Sequence, residues 1–418
     1  MNAMKLIIGV FIAVVGARAQ APPMTTDKQI EIYQKWVAAD PSNVSNQIVL
    51  AGAFIQKTRE TTDFGYLDKA TRLLDGVLAT GGRRDPEALR LKNTAEMMRH
   101  HFKEAAEGAR TLTAAWSGDI RSWGTLADAL LEMGHYDEAK QAIDKMMELK
   151  PGLMSYNRLG FYEFLNGRVD EGIGLMRKAV EAAAKYPENK AWCLVELGNQ
   201  YFKSGRRAEA ERAYREALES FPGAHMAHAG LASVHAAEGR TAEAVEEYKR
   251  AQAITPMVQY SAVLFDLYTM AGNKAEADRQ WKAIEVVVKL EAAANQKANR
   301  TLALIFANQD RNLQESLELA RADYELRRDV YTSDALAWAL FKNGRLEEAL
   351  KMSREALRLG TPEAVFSYHL GMIANAMGDA GTARKALDRA LGLNGGGFDI
   401  RQAAVARGAL AGLAQGAN

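Results

Sequence analysis

The sequence predicts an all-α protein, a right-handed α-solenoid of antiparallel helix pairs with capping helices. Two observations carry that expectation. A Leu, a Gly eight residues later and a small residue five beyond it recur along the chain, with successive glycines mostly 33 or 34 apart, and a fixed period of this length marks a stacked repeat. Apolar residues between those positions follow the helical spacing, with turn residues at the joints. A single cysteine, Cys193, leaves packing rather than an intrachain disulfide to hold the structure. Beside Trp192 and Leu194, with no cluster of basic residues to activate it, it reads as a buried side chain.

The chain opens with Lys5, an apolar run from Leu6 to Val15, and Ala17-Arg18-Ala19. A basic start, a short apolar core and a small-x-small site describe a secretory signal peptide over residues 1–19. The ten-residue run is about half of the roughly 20 residues a spanning helix needs. Export to the periplasm or the medium is therefore expected, with no stable membrane insertion after cleavage. Residues 20–42 form a linker and a capping helix, because "KQIEIYQKWVAADP" (28–41) ends in Pro like a second helix lacking its partner. Residues 43–119 hold two divergent pairs. One has its turn lengthened around "ETTDFG", and the other carries His100 where the repeat has Gly.

Residues 120–395 hold seven plain copies and one divergent copy. The Leu positions are Leu126, Leu159, Leu197, Leu231, Leu264, Leu336 and Leu370; the glycines are Gly134, Gly167, Gly205, Gly239, Gly272, Gly344 and Gly378. Gly ends the first helix in a left-handed conformation and turns the chain back. Small residues after the Leu (Ala127, Gly160, Gly198, Ala232, Ala337, Gly371), and again after the turn (Ala139, Gly172, Ala210), let the two helices touch closely. A bulky residue four beyond, such as Ile143, Met176 or Tyr214, fills the gap to the next pair. Pro151, Pro222 and Pro256 stop the second helix. The 72-residue gap between Gly272 and Gly344 has room for one divergent pair, placed with Leu304, Arg311 and Ser316 in the Leu, Gly and small-residue slots. Surplus residues in "AVEAAAKYPENKA" and "VVVKLEAAANQKA" are expected to lengthen second helices by a turn. "DIRQAAVARGALAGLA" closes the stack in a cap over 396–418. The whole reads as one array rather than several globular domains, with atypical ends covering faces that lack a neighbour.

The pattern resembles the tetratricopeptide repeat, whose family motif runs W, L, G, Y, A, F, P. Trp123, Leu126, Ala127, Leu130, Tyr136, Ala139 and Pro151 stand at matching places in the copy beginning near Ile120. The resemblance implies a concave groove lined by first helices and a partner held in it.

Charge excludes a broad attraction to nucleic acid: 53 Lys plus Arg face 52 Asp plus Glu. No nucleophile-elbow, zinc-protease, phosphate-loop or dinucleotide motif occurs, so no enzyme and no cofactor are expected. His225, His228 and His235 do not converge on one ion, since His235 lies about 10.5 Å along the helix from His228, so no metal site is assigned. First-helix positions not used in packing give the candidate partner-binding groove: Arg121, Asp128, Asn157, Arg158, Phe161, Phe164, Trp192, Glu196, Asn199, Phe202 and Lys203, then Trp338, Phe341, Tyr368 and His369. Aromatics mixed with amides and charges suit a peptide segment or a partner protein. The family's carboxylate clamp, which grips a peptide's terminal carboxylate, is not expected, because the full set of Lys and Arg positions is missing. The leading expectation is a non-catalytic scaffold in the cell envelope. The alternatives are an enzyme or accessory subunit acting on envelope glycans, with Asp128, Glu132, Glu196 and Asp266 as its available acids, and an architectural subunit of an envelope assembly.

Overall fold

The computed structural model describes residues 24–61, 63–80, 85–293, 298–393 and 400–415, the side chains of 291–293 and 400 excepted. The expected signal peptide lies outside the described residues. These residues form helices and no strand. The register alone reads as one array; the chain divides at Pro151–Gly152 into two compact units.

In the first unit α1 (Thr26–Ala39) precedes three pairs: α2 (Val44–Thr61) with α3 (Phe64–Ala79), α4 (Pro86–Met98) with α5 (Phe102–Ala115), and α6 (Ile120–Glu132) with α7 (Tyr136–Leu149). The second unit begins with α8 (Leu153–Leu165) and α9 (Val169–Ala182), α10 (Pro187–Lys203) and α11 (Arg207–Ser220), α12 (His225–Ala237) and α13 (Thr241–Ile254). It continues with α14 (Val258–Met270) and α15 (Lys274–Ala293), α16 (Arg300–Asn308) and α17 (Leu313–Leu326), α18 (Val330–Lys342) and α19 (Leu346–Ala356), α20 (Ala364–Ala376) and α21 (Ala380–Gly392), and ends with α22 (Ile400–Gln415). Within each unit the two helices of a pair pack on each other and on the next pair, which makes each unit an α-solenoid of helix pairs.

The turns follow the register. All seven repeat glycines have φ between 71° and 81°, the left-handed region a side chain disfavours. In the divergent pair α4–α5, His100 takes the same conformation with φ 63°. Its backbone N–H donates to Met97 and that of His101 to Glu96, as the glycine turns do elsewhere.

The second divergent pair corrects the sequence register. The left-handed residues are Asp310 (φ 51°) and Asn312 (φ 47°), not Arg311. Asp310 occupies the Gly slot, so the Leu-small pair is Leu302-Ala303, both buried, rather than Leu304. One extra turn residue, absorbed at Asn312, delivers Ser316 to the close contact, where its Oγ donates to the Ala303 carbonyl at 2.7 Å. Arg300 anchors this short α16: its guanidinium binds Asp329 at 3.1 Å and Thr332 at 3.0 Å, all buried.

The surplus residues are distributed differently from expectation. α15 is indeed long, at 20 residues, but α9 keeps the usual 14 and the extra turn goes to α10, at 17. Pro187 explains this: it disfavours helix at Tyr186 and starts a new one at its own position.

Close approach at the small slots is backbone-deep. A Cβ on Gly160 would lie 3.0 Å from the Gly172 carbonyl oxygen. Tyr214 of α11 is wedged between α10 and α12, where a Cβ on Gly198 or Gly230 would stand 2.5 and 2.4 Å from its ring. The ring cannot retreat, being fully buried and donating its hydroxyl to Asn199 at 2.8 Å. We therefore expect Gly230→Ala to cost about 1–3 kcal/mol of stability through overpacking. Gly174→Ala, on α9 with nothing within 4 Å of its Cβ, should instead gain about 0.5–1 kcal/mol. Thermal unfolding of the two variants checks the pair, and equal shifts would contradict it.

Candidate interaction trough

In the second unit the first helices α8, α10, α12, α14, α16, α18 and α20 share one side of the stack, and that side curves until distant helices touch. Thr361, before α20, donates its hydroxyl to the Leu165 carbonyl at 2.6 Å across 196 residues of chain. The Gly167 turn lies against the Gly360 backbone, so that a Cβ at Gly167 would meet the Gly360 oxygen at 3.0 Å. Beside this contact the Lys203 ammonium sits 2.7 Å from the Glu363 carboxylate and 3.4 Å from the Tyr331 hydroxyl. Tyr331 in turn packs edge-on against Phe366.

These groups are taken out of water, and their proton affinities respond. Burial opposes the charge on Lys203, but Glu363, Tyr331 and Glu196 outweigh it, and its pKa lies above the ordinary lysine value. Burial pushes the Glu196 carboxyl up to about 7, against the opposing pull of Lys203 and the Asn199 amide. Burial likewise raises the Cys193 thiol, with Glu196 adding to it, so this cysteine is not an activated nucleophile.

A second cluster is built from α18, α20, α16 and the terminal helix. Trp338 stacks on His369 with ring centroids 4.1 Å apart, with Phe341 at 4.9 Å and Tyr368 at 5.5 Å. His369 Nδ1 lies 2.9 and 3.0 Å from the two Asp334 oxygens. The Trp338 indole donates to Asn308 at 2.8 Å, and Gln402 of α22 donates to the same oxygen at 3.1 Å. Arg401 donates to Gln309 at 2.7 Å and pairs with Asp266 at 3.4 Å. The terminal helix α22 thus packs on the first helices α14 and α16.

Models of the tetratricopeptide repeat match residues 120–152, 153–222, 195–256 and 335–398. Those stretches carry tetratricopeptide repeats. No curated protein matches it. Similar solved structures include Pseudomonas aeruginosa pilF, at 13% identity over 50% of this chain and 92% of that one with a TM-score of 0.41. PilW, described as a widely conserved type IV pilus biogenesis factor, shares 16% identity over 49% of this chain and 99% of its own, with a TM-score of 0.42. MamA shares 20% over 39% and 93%, with a TM-score of 0.32.

Placed in the tetratricopeptide framework, the fifteen sequence-predicted groove residues separate by burial. Ten are buried: Asp128, Asn157, Arg158, Phe164, Glu196, Asn199, Phe202, Trp338, Tyr368 and His369. Their side chains are largely covered by the chain itself. Arg158, for example, turns back to the Met154 carbonyl of its own helix at 3.0 Å. Arg121, Phe161, Trp192, Lys203 and Phe341 are half-buried. Of these, Arg121 in the first unit is paired with Glu87 at 2.9 Å, and Lys203 is held by Glu363. His225 and His228 find Tyr260 at 2.7 Å and Glu247 at 2.6 Å. Sequence reasoning missed Glu363, Thr361, Asn308 and Arg401. Glu363 and Thr361 meet α10 and α8 from several pairs away, and Arg401 and Asn308 are drawn together by the terminal helix, none of which local spacing records.

The raised Glu196 pKa has a consequence for stability. A carboxyl whose folded pKa is near 7, against an ordinary 4.5, binds its proton more tightly folded than unfolded, so its contribution falls as pH rises through that window. Glu196→Gln should remove this loss, raising stability at pH 8 by on the order of 2 kcal/mol and changing it little at pH 4. Melting curves across that range test it; a gain independent of pH, or a loss at pH 8, would contradict the assignment.

Proposed function

We propose that this chain is a non-catalytic protein–protein interaction scaffold, exported through its N-terminal signal and working in the cell envelope, which holds a peptide segment or partner protein along its first helices. The tetratricopeptide repeats support an interaction role. The observation that carries the trough reading is Phe161, Trp192 and Phe341: three aromatic side chains on first helices that stay half-buried, Trp192 and Phe341 with one side packed on the core. Aromatics on a rigid, preformed surface bury large area without an ordering cost. Asp128, Glu132, Glu196 and Asp266, the acids a hydrolytic role would need open to the trough, are all buried, which supports the non-catalytic reading. Among the described residues no helix is long and apolar enough to cross a membrane.

A photo-cross-linking amino acid at Phe161 or Phe341, in the full chain expressed in its own cells, should capture one discrete partner from the envelope fraction. The same group at Lys178, on second helix α9, should not. The captured scaffold should begin at Gln20. Equal labelling at all three positions, or capture only in the cytoplasmic fraction by a chain that retains Met1, would overturn the proposal.

A further inference from the structure

The α14–α17 region departs from the other pairs in a way that leaves an open cleft. α15 has 20 residues while its neighbour α16 has nine, so the far part of α15 outruns the helix that would cover it. Val286 and Leu290 are consequently 55% and 64% exposed. The additional turn residue between α16 and α17 puts left-handed backbone on both sides of Arg311 and turns its side chain outward. There the guanidinium lies 4.2 Å from the Trp281 ring centroid. The result is a cleft of about 610 Å³ lined by Trp281, Ile284, Val288, Lys289, Phe306 and Arg311.

Its chemistry is apolar at the floor and cationic at the rim. Ile284 and Phe306 are fully buried and give the floor. Among the described residues no carboxylate comes within ion-pair distance of Arg311 or Lys289. The one acid in the lining, Glu285, accepts the Trp281 indole N–H at 2.9 Å. A guanidinium stacked by its face on an indole keeps its N–H edge open for a carboxylate.

We infer that this cleft is a second docking site, one that takes an acidic segment of a partner protein, with an apolar side chain seated against Trp281 and Val288 and a neighbouring carboxylate on Arg311 and Lys289. It rests on the scaffold reading but not on the trough, since none of its lining residues belongs to the trough. Lengthening of α15 and the inserted turn act together here: the long helix supplies the apolar wall, and the turn sets Arg311 over Trp281 at its rim.

The test is fluorescence anisotropy of a dye-labelled, end-capped peptide, Asp-Leu-Phe-Asp, titrated with the full mature protein, beside the isosteric Asn-Leu-Phe-Asn. The acidic peptide should bind saturably, and both the amide peptide and Arg311→Gln should weaken binding at least tenfold. Lys289→Gln should weaken it less, and it leaves the stack on Trp281 intact should Arg311→Gln lower the melting temperature. Equal affinity for the two peptides would reduce the cleft to an apolar patch. Unchanged affinity in both charge variants would place the peptide elsewhere, and an absence of saturable binding to the parent protein would likewise overturn the proposal. Cross-links from Phe161 and Phe341 should be the same in Arg311→Gln as in the parent, so failure of the trough and failure of the cleft read out separately.

Discussion

Backbone-to-backbone approach at the small slots is the constraint on which the rest depends. Two helices carrying Gly or Ala at facing positions come close enough for a carbonyl to touch a neighbouring Cα, as Gly160 and Gly172 do. Gly in a helix costs about 1 kcal/mol of intrinsic preference, and packing across the pair offsets it. The large side chains are then forced outward between pairs, where Tyr214 wedges α10 against α12 and Met176 and Ile143 are fully buried. Each hairpin therefore covers the apolar face of the next, and the angle at which it does so, repeated from pair to pair, sets the curvature.

In the second unit that curvature runs far enough to bring the α8–α9 turn against the segment before α20. A Lys203–Glu363 pair buried there is not in itself a strong source of stability, because desolvation of two ions offsets much of their attraction. Its role is positional. With Thr361 holding the Leu165 carbonyl, the pair fixes how far the stack bends, and α22 adds a second brace through Arg401 and Gln402. On the proposed reading, Phe161, Trp192 and Phe341 are the half-buried aromatics of the first-helix side that a partner would meet.

Much of this was legible in the sequence because local rules decide it. Seven left-handed glycines, the close slots and the proline stops each follow from a few adjacent residues, and even His100 could be placed as a worn turn. What was not legible was of two physical kinds. An inserted residue shifts a register without announcing itself, so Arg311 was given the turn that Asp310 and Asn312 make; the buried Leu302-Ala303 pair was the available signal. Pro187 moved a surplus turn from α9 to α10, although a proline after Tyr186 pointed to that restart. The trough is the other kind. Whether Glu196, Trp338 or His369 faces a ligand or its own chain depends on how neighbouring helices meet, as where Trp338 stacks on His369 and donates to Asn308, and that is set by packing angles rather than by spacing.

Closure of the second unit is accordingly the claim to test first. Spin labels at Arg168→Cys and Arg358→Cys, in a Cys193→Ala background, place one probe on each side of the contact between the Gly167 and Gly360 turns, and pulsed dipolar spectroscopy reads the separation directly. A single narrow distribution at short distance is the expected result. A long or broad distribution would mean that the stack remains open and that the inward side chains are available along its whole length.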